Sequence, residues 1–279
     1  MKCIIGAIND GQWNRPKPAE GFIKNASPED VTKALAEANM AVDVLPIPFT
    51  TTVVNTGSKL IAIDSGNGDS GAPTSGKWLG NLRASGYEPA QVDHVIISHF
   101  HGDHINGLRQ KNGDAVFPNA EIMVPAAEWA FWMDDARMSA APDAMKPAFQ
   151  NVRRVFGPLG AKVTKFEHGK DVLPGIGAVA AIGHTPGHTA FTVNSGSGKL
   201  LVLSDTTNVP ALFARYPDWQ AIFDMDGAKA TETRRKLLDM AIADKLQVAF
   251  YHAAFPAAGT IAKDGNGYRL LPIAWNSAV

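Results

Sequence analysis

The stretch Ser98-His99-Phe100-His101-Gly102-Asp103-His104 constrains this chain more than any other. It packs four side chains of metal-binding type, His99, His101, Asp103 and His104, into six positions. An apolar run, Val92-Asp93-His94-Val95-Ile96-Ile97, precedes it, and Ile105 to Leu108 follows with helical character. Further ligand types sit at the same kind of place. Gly183-His184-Thr185-Pro186-Gly187-His188 follows the strand-like Ala178-Val179-Ala180-Ala181-Ile182. Ser204-Asp205 follows Leu200-Leu201-Val202-Leu203, and His252 follows Val248-Ala249-Phe250-Tyr251. A fold that gathers the ends of these strands at one sheet edge brings the ligands together from far apart in sequence.

The remaining pattern mixes apolar strands with amphipathic helices. Lys59 to Asp64 and Glu121 to Val124 read as short strands, and Lys77 to Ser85, stopped by Gly86, as a helix. Ala126 to Asp135 reads as an aromatic-rich helix. Phe191 to Asn194 and Leu200 to Leu203 flank Ser195-Gly196-Ser197-Gly198 and predict a hairpin. Ala230 to Ala243 carries Leu237, Leu238 and Ala241 on one stripe and predicts the best helix, while Val248 to Tyr251 reads as a last buried strand. Ser27-Pro28-Glu29-Asp30 has the serine, proline and acids of a helix start.

Length and composition suit a globular chain with a substantial core: 279 residues, 45% hydrophobic and 19% charged, with formal net charge −1. That balance lacks the basic excess expected of a nucleic-acid or membrane surface. The one cysteine, Cys3, excludes an intrachain disulfide and is expected as a plain buried thiol. No apolar run approaches the roughly 18 residues needed to span a bilayer. The start, Met1-Lys2-Cys3-Ile4-Ile5-Gly6, lacks the features of a secretory signal. The expected location is the cytoplasm, or the periplasm if a leader has been trimmed.

The cluster has a chemistry of its own. His99 and His101, two apart in a turning segment, can take one cation together, and the turn at Gly102 can aim Asp103 and His104 at a second. Zinc prefers nitrogen and oxygen ligands at about 2.0–2.2 Å and keeps a position for water in catalytic sites. A cation pair about 3.5–4 Å apart can share one hydroxide, and a carboxylate such as Asp205 suits bridging because each oxygen can bind one ion.

In their order these motifs resemble the metallo-β-lactamase superfamily, marked by His-x-His-x-Asp-His followed by later His, Asp and His. The likeness spans almost the whole chain, and Asp64-Ser65-Gly66 is similar to the family's early Asp-Thr-Gly strand end, whose aspartate supports the site from behind. The resemblance implies an α/β (α+β) fold, a four-layer αβ/βα sandwich with residues 1–279 as one domain of two similar halves. It implies that His99, His101 and His188 hold one cation, that Asp103, His104 and His252 hold the other, and that Asp205 bridges them. Asp103 and Asp205 are then the catalytic carboxylates. Two divalent ions are expected, zinc first, with manganese, cobalt or iron as alternatives.

Finer features resemble the methyl parathion hydrolase-like and lactonase-like branch. Trp129, Phe131 and Trp132 match that branch's aromatic pocket wall, with packing of an amphipathic helix as the competing reading. Asn208 stands where acyl-homoserine lactonases carry a tyrosine, three residues after the bridging aspartate, so it is a pocket candidate of different chemistry. His184 is expected behind the ligands, at the pocket, or simply in the turn. His94 is expected to be packed and His168 solvated. The expected activity is hydrolysis of a small ester, lactone or phosphotriester. The alternatives are an iron-dependent oxidoreductase on the same scaffold, resembling persulfide dioxygenases, and a β-lactamase or thioesterase. The expected partner is a small-molecule substrate, with no nucleic acid and no membrane; a homodimer is left open.

Overall fold

Two β-sheets packed face to face form the centre of the molecule. A computed structural model describes residues 3–274. The first sheet runs β1 (Ile4–Pro16), β2 (Val44–Asn55), β3 (Leu60–Ile63), β4 (His94–Ile96), β5 (Glu121–Pro125) and β6 (Val163–Phe166), in that spatial order. Strands β1 to β3 pair antiparallel, and β3 to β6 pair parallel. The second sheet holds β7 (Asp171–Leu173), β8 (Ile176–Ala180), β9 (Thr189–Ser195), β10 (Gly198–Ser204), β11 (Gln247–Phe250), β12 (Ala258–Asp264) and β13 (Gly267–Pro272), also in sequential order. Only β10 and β11 are parallel there.

Side chains from both inner faces interdigitate, with Ile61, Ile63, Ile96 and Met123 from one sheet meeting Phe191, Val193, Leu200 and Val202 from the other. Helices cover the outer faces. They are α1 (Pro28–Glu37), α2 (Trp78–Ala84), α3 (Gly102–Ile105), α4 (Ala126–Trp132), α5 (Asp135–Ala140), α6 (Lys146–Phe156), α7 (Pro210–Phe213) and α8 (Gly227–Ala243). Trp78 and Leu82 of α2 and Phe149, Val152 and Phe156 of α6 pack on the first sheet. Leu237, Leu238 and Ala241 of α8 pack on the second. The result is the four-layer αβ/βα sandwich that the sequence implies. Among the described residues, no helix is long and apolar enough to cross a membrane.

The helix ends follow local chemistry. Ser27 accepts from the Asp30 amide and caps α1, with Pro28 in its first turn. The aromatic helix expected to reach Asp135 stops at Trp132, because Asp134 accepts from the Arg137 amide and starts α5. Helix α8 begins three residues before the expected start, because Asp226 caps it through the Lys229 amide. The last hairpin, β12 and β13, lies beyond the strand that the sequence reading ended on.

The stripe on α8 gives a direct test of the packing. Leu237→Ala is expected to lower the unfolding free energy by about 2–5 kcal/mol in urea denaturation. Exposed Lys236→Ala should stay within about 0.5 kcal/mol of the parent. Equal effects would mean that α8 does not seal the second sheet.

Candidate metal centre

Five strand ends deliver the site: β3 to Asp64, β4 to the histidine cluster, β8 to Gly183–His188, β10 to Asp205 and β11 to His252. Short polar contacts lock these loops to one another. Asp64, with φ 65°, accepts from the Ser98 amide at 2.7 Å and the Ser98 hydroxyl at 2.8 Å, and it faces His104 Nδ1 at 2.8 Å. The Ser65 amide donates to the His104 carbonyl at 2.9 Å. Gly107 is required beside this contact, since a Cβ there would lie 1.8 Å from the Ser65 carbonyl oxygen. The Thr189 amide donates to the Ser98 carbonyl at 3.0 Å, joining the two sheets at the site. Tyr251 stacks on His104 with ring centroids 3.9 Å apart and donates its hydroxyl to the Asp103 carbonyl.

Glu128, on α4, is a structural member of the site that the sequence reading missed. It is fully buried and accepts from the amides of Phe100 (2.9 Å) and Gly187 (2.7 Å) and from Trp132 Nε1 (2.9 Å). It thereby clamps the histidine cluster to the Gly183–His188 loop. Burial pushes its carboxyl pKa up, against the pull of the surrounding donors. Little in the local sequence marks it, because the two amides that it clamps, of Phe100 and Gly187, come from other elements.

The side chains converge in two groups that share Asp205. His99, His101, His184 and Asp205 form one, and Asp103, His104, His252 and Asp205 form the other, with the offered atoms of each group all within 4.8 Å. His101 Nδ1 faces His184 Nε2 at 2.9 Å. Asp205 Oδ2 lies 3.2 Å from His184 Nε2 and 3.1 Å from His252 Nε2, while Oδ1 lies 3.2 Å from His104 Nε2. Asp103 Oδ2 stands 3.5 Å from His104 Nε2 and 3.6 Å from His252 Nε2. Behind them, His252 Nδ1 donates to the Pro48 carbonyl at 2.9 Å. His99 Nε2, His104 Nε2 and Asp205 Oδ1 are buried with no hydrogen-bond partner. Nitrogen and carboxylate donors that converge in this way fit a pair of divalent cations.

The structure corrects the expectation for two histidines of one loop. His188 does not reach either group: its Nδ1–H donates to the Ala181 carbonyl at 2.8 Å, and its Nε2 accepts from the Asp205 amide at 3.1 Å. Both ring nitrogens are used, so no lone pair is left for a cation. His184 takes that place. Its Nδ1 is held by Asp224 at 2.8 Å, leaving Nε2 to face the centre.

The aromatic wall is corrected as well. Trp132 is 1% exposed and bonded to Glu128, and Trp129 and Phe131 pack against Phe156 and Phe149. Trp132 belongs to the core under the first sheet, Trp129 and Phe131 pack half-buried against it, and none lines the cleft over the site. That cleft, of about 470 Å³, is walled by Trp13, Ile47, Phe49 and Phe223 instead. Asn208 lines it. His94 is half-buried beside Glu121 at 3.5 Å. His168 is not simply solvated, since its Nε2 meets the Thr189 hydroxyl at 2.9 Å, and Cys3 is only half-buried.

Electrostatics divides the histidines. Burial, with His104 and His101 adding repulsion, holds His99 far below its usual range, and burial with His184 beside it holds His101 at about 3. Burial opposes charge on His104 too, yet Asp205, Asp103 and Asp64 raise it well above normal. Against the same burial, hydrogen bonds to Asp205 and Asp224 raise His184 to about 9. Asp205 stays ionised well below the usual carboxylate range despite burial, because His252 and His104 face it. A centre with this polarity holds positive charge, as protons or as metal cations that displace them.

Known proteins agree with this geometry. A family model described as the metallo-beta-lactamase superfamily matches residues 48–252. An N-acyl homoserine lactonase from Bacillus sp is 26% identical over 173 residues, 61% of this chain and 60% of that protein. This chain therefore spans about three fifths of that relative's length. A solved structure described as hydrolase AbOPH in the beta lactamase superfamily superposes with a TM-score of 0.91 at 27% identity, covering 99% of this chain and 96% of the other. AidC, a dizinc quorum-quenching lactonase solved with a product, superposes at 0.90 with 26% identity and the same coverage. With most of the chain matched and the donor groups in place, this protein belongs to the metallo-beta-lactamase superfamily.

Proposed function

We propose that this chain is a metal-dependent hydrolase that opens a small neutral lactone or ester. The observation that carries the reading is the set of buried, mutually facing donor atoms at the base of a cleft whose lining contains no lysine or arginine. His99, His101 and His184 would hold one divalent cation and Asp103, His104 and His252 the other, with Asp205 between them. Zinc suits these donors best. Such a pair, when bound, supplies nucleophilic solvent at neutral pH and polarises the electrophile.

The chain's own residues select the substrate. Trp13, Phe49 and Phe223 offer apolar surface to an acyl or aromatic group. Apart from the metal pair itself, a substrate carboxylate would find no lysine or arginine in the lining to bind it, which disfavours β-lactams and glutathione thioesters. A neutral phosphotriester satisfies the same constraint and is the second reading. The similarity to lactonases supports the lactone as the first reading. Asp103 is the most open carboxylate of the group, its side chain 22% exposed against 4% for Asp205. It is therefore placed to take a proton after attack and pass it to the leaving oxygen. Asn208, on the cleft wall with its Oδ1 unpartnered, can donate through Nδ2 to a substrate oxygen.

Metal-reconstituted protein should hydrolyse γ- or δ-lactones and p-nitrophenyl esters faster than a cephalosporin, with paraoxon-like triesters as a third arm. Stripping with a chelator should abolish turnover, and full activity of the stripped protein would end the proposal. Asp103→Asn is expected to lower kcat by about 10²–10⁴-fold. In cobalt titration, His184→Ala should lose a bound cation while His188→Gln keeps two. The reverse pattern would show that the two histidines have been assigned the wrong way round.

A further inference from the structure

Each group of donors contains one histidine whose remote nitrogen is held by a carboxylate: His104 by Asp64, and His184 by Asp224. Asp64 belongs to a strand-end motif, but Asp224 lies in the loop before α8, outside every motif that the sequence singles out. Asp224 is 2% exposed. Its Oδ1 faces His184 Nδ1 at 2.8 Å, and its Oδ2 accepts from the Ala221 amide at 3.0 Å and stands 3.6 Å from Arg234 Nη2.

Arg234 is itself only 1% exposed and fully directed. Its Nε donates to the Thr206 carbonyl at 3.0 Å, and its Nη1 donates to the carbonyls of Pro217 (2.8 Å) and Trp219 (2.7 Å). One guanidinium thus ties the Asp224 loop to the residue after Asp205. The backbone closes the same joint, with Met225 N donating to His184 O at 3.1 Å and Asp226 N to Gly183 O at 2.9 Å. Burying such a pair carries a desolvation cost, and α8 already has Leu237, Leu238 and Ala241 to hold it on the sheet. The buried charges therefore need another reason to be there.

Resting on the reading of the site as a metal centre, we infer that Asp224 is a positioning residue for His184, with Arg234 fixing its carboxylate. Asp224 keeps the proton on Nδ1 and sets the ring plane, so that the Nε2 lone pair points toward His101 Nδ1 and Asp205 Oδ2. Carboxylates behind a ligating imidazole typically contribute about 10–100-fold in metal affinity.

Asp224→Asn keeps the volume and an acceptor while removing the charge. Zinc affinity, measured by chelator competition, should fall about 10–100-fold at one of two positions and stay near the parent value at the other. The cobalt absorption spectrum of the weakened position should change; the melting temperature should fall as well, because Arg234 loses its buried counter-charge, and the control below separates that loss from the loss of affinity. Arg234→Lys should give a smaller loss at the same position. Asp226→Ala, which removes the side-chain cap of α8, is the control: it should lower the melting temperature and leave zinc affinity alone. Parent affinity at both positions in Asp224→Asn and Arg234→Lys would overturn the inference. So would an equal weakening of both positions that the Asp226→Ala control reproduces in proportion to its melting loss. A parent protein that takes up no zinc would instead contradict the metal centre, and this inference with it.

Discussion

Lone pairs that face one another inside a protein cannot be left alone, and this molecule is organised around that constraint. His101 Nδ1 and His184 Nε2 stand 2.9 Å apart, and the oxygens of Asp205 approach three imidazole nitrogens within 3.2 Å. Only shared protons or cations between them meet that need, because an unmatched donor or charge in such surroundings costs several kcal/mol. Protons can supply part of it, as the raised His104 and His184 indicate. Divalent cations would supply it by taking those lone pairs as ligands.

The fold supports this centre from outside the ring of donors. Asp64 and Ser98 orient His104, the Pro48 carbonyl orients His252, and Asp224 orients His184. Glu128 and the Thr189–Ser98 hydrogen bond join the loops of the two sheets. The donors therefore come from loops at strand ends, where open sheets gather their ligands, while their orientation comes from residues that no short motif contains.

That division explains what the sequence could and could not say. The histidine cluster, Asp205 and His252 were legible because ligand types followed apolar strands. The strands at Leu60–Ile63 and Glu121–Pro125 and the stripe of α8 were legible from hydrophobic pattern. The Gly183–His188 turn offered two histidines four apart, and spacing alone did not say which ring kept a free nitrogen. The answer depends on Asp224 and the Asp205 amide, both distant in sequence. Trp129 and Trp132 share a helical face, but that face meets Phe149 and Phe156 in the core. The cleft wall comes instead from Trp13 on β1 and from Phe49 on β2. Those strands carry glycine, asparagine and proline in place of a clean alternation, so their pairing gave little local signal.

The composition of the cleft joins this centre to its chemistry. Apolar walls, side-chain amides and a lining without lysine or arginine suit a neutral electrophile held over a charged base. The account stands or falls on the base being a cation pair. Elemental analysis of protein stripped and then reloaded under saturating metal tests it most directly. The account predicts about two zinc or manganese ions per chain. A protein that retains no metal, or one that holds a single iron and consumes oxygen, would contradict it.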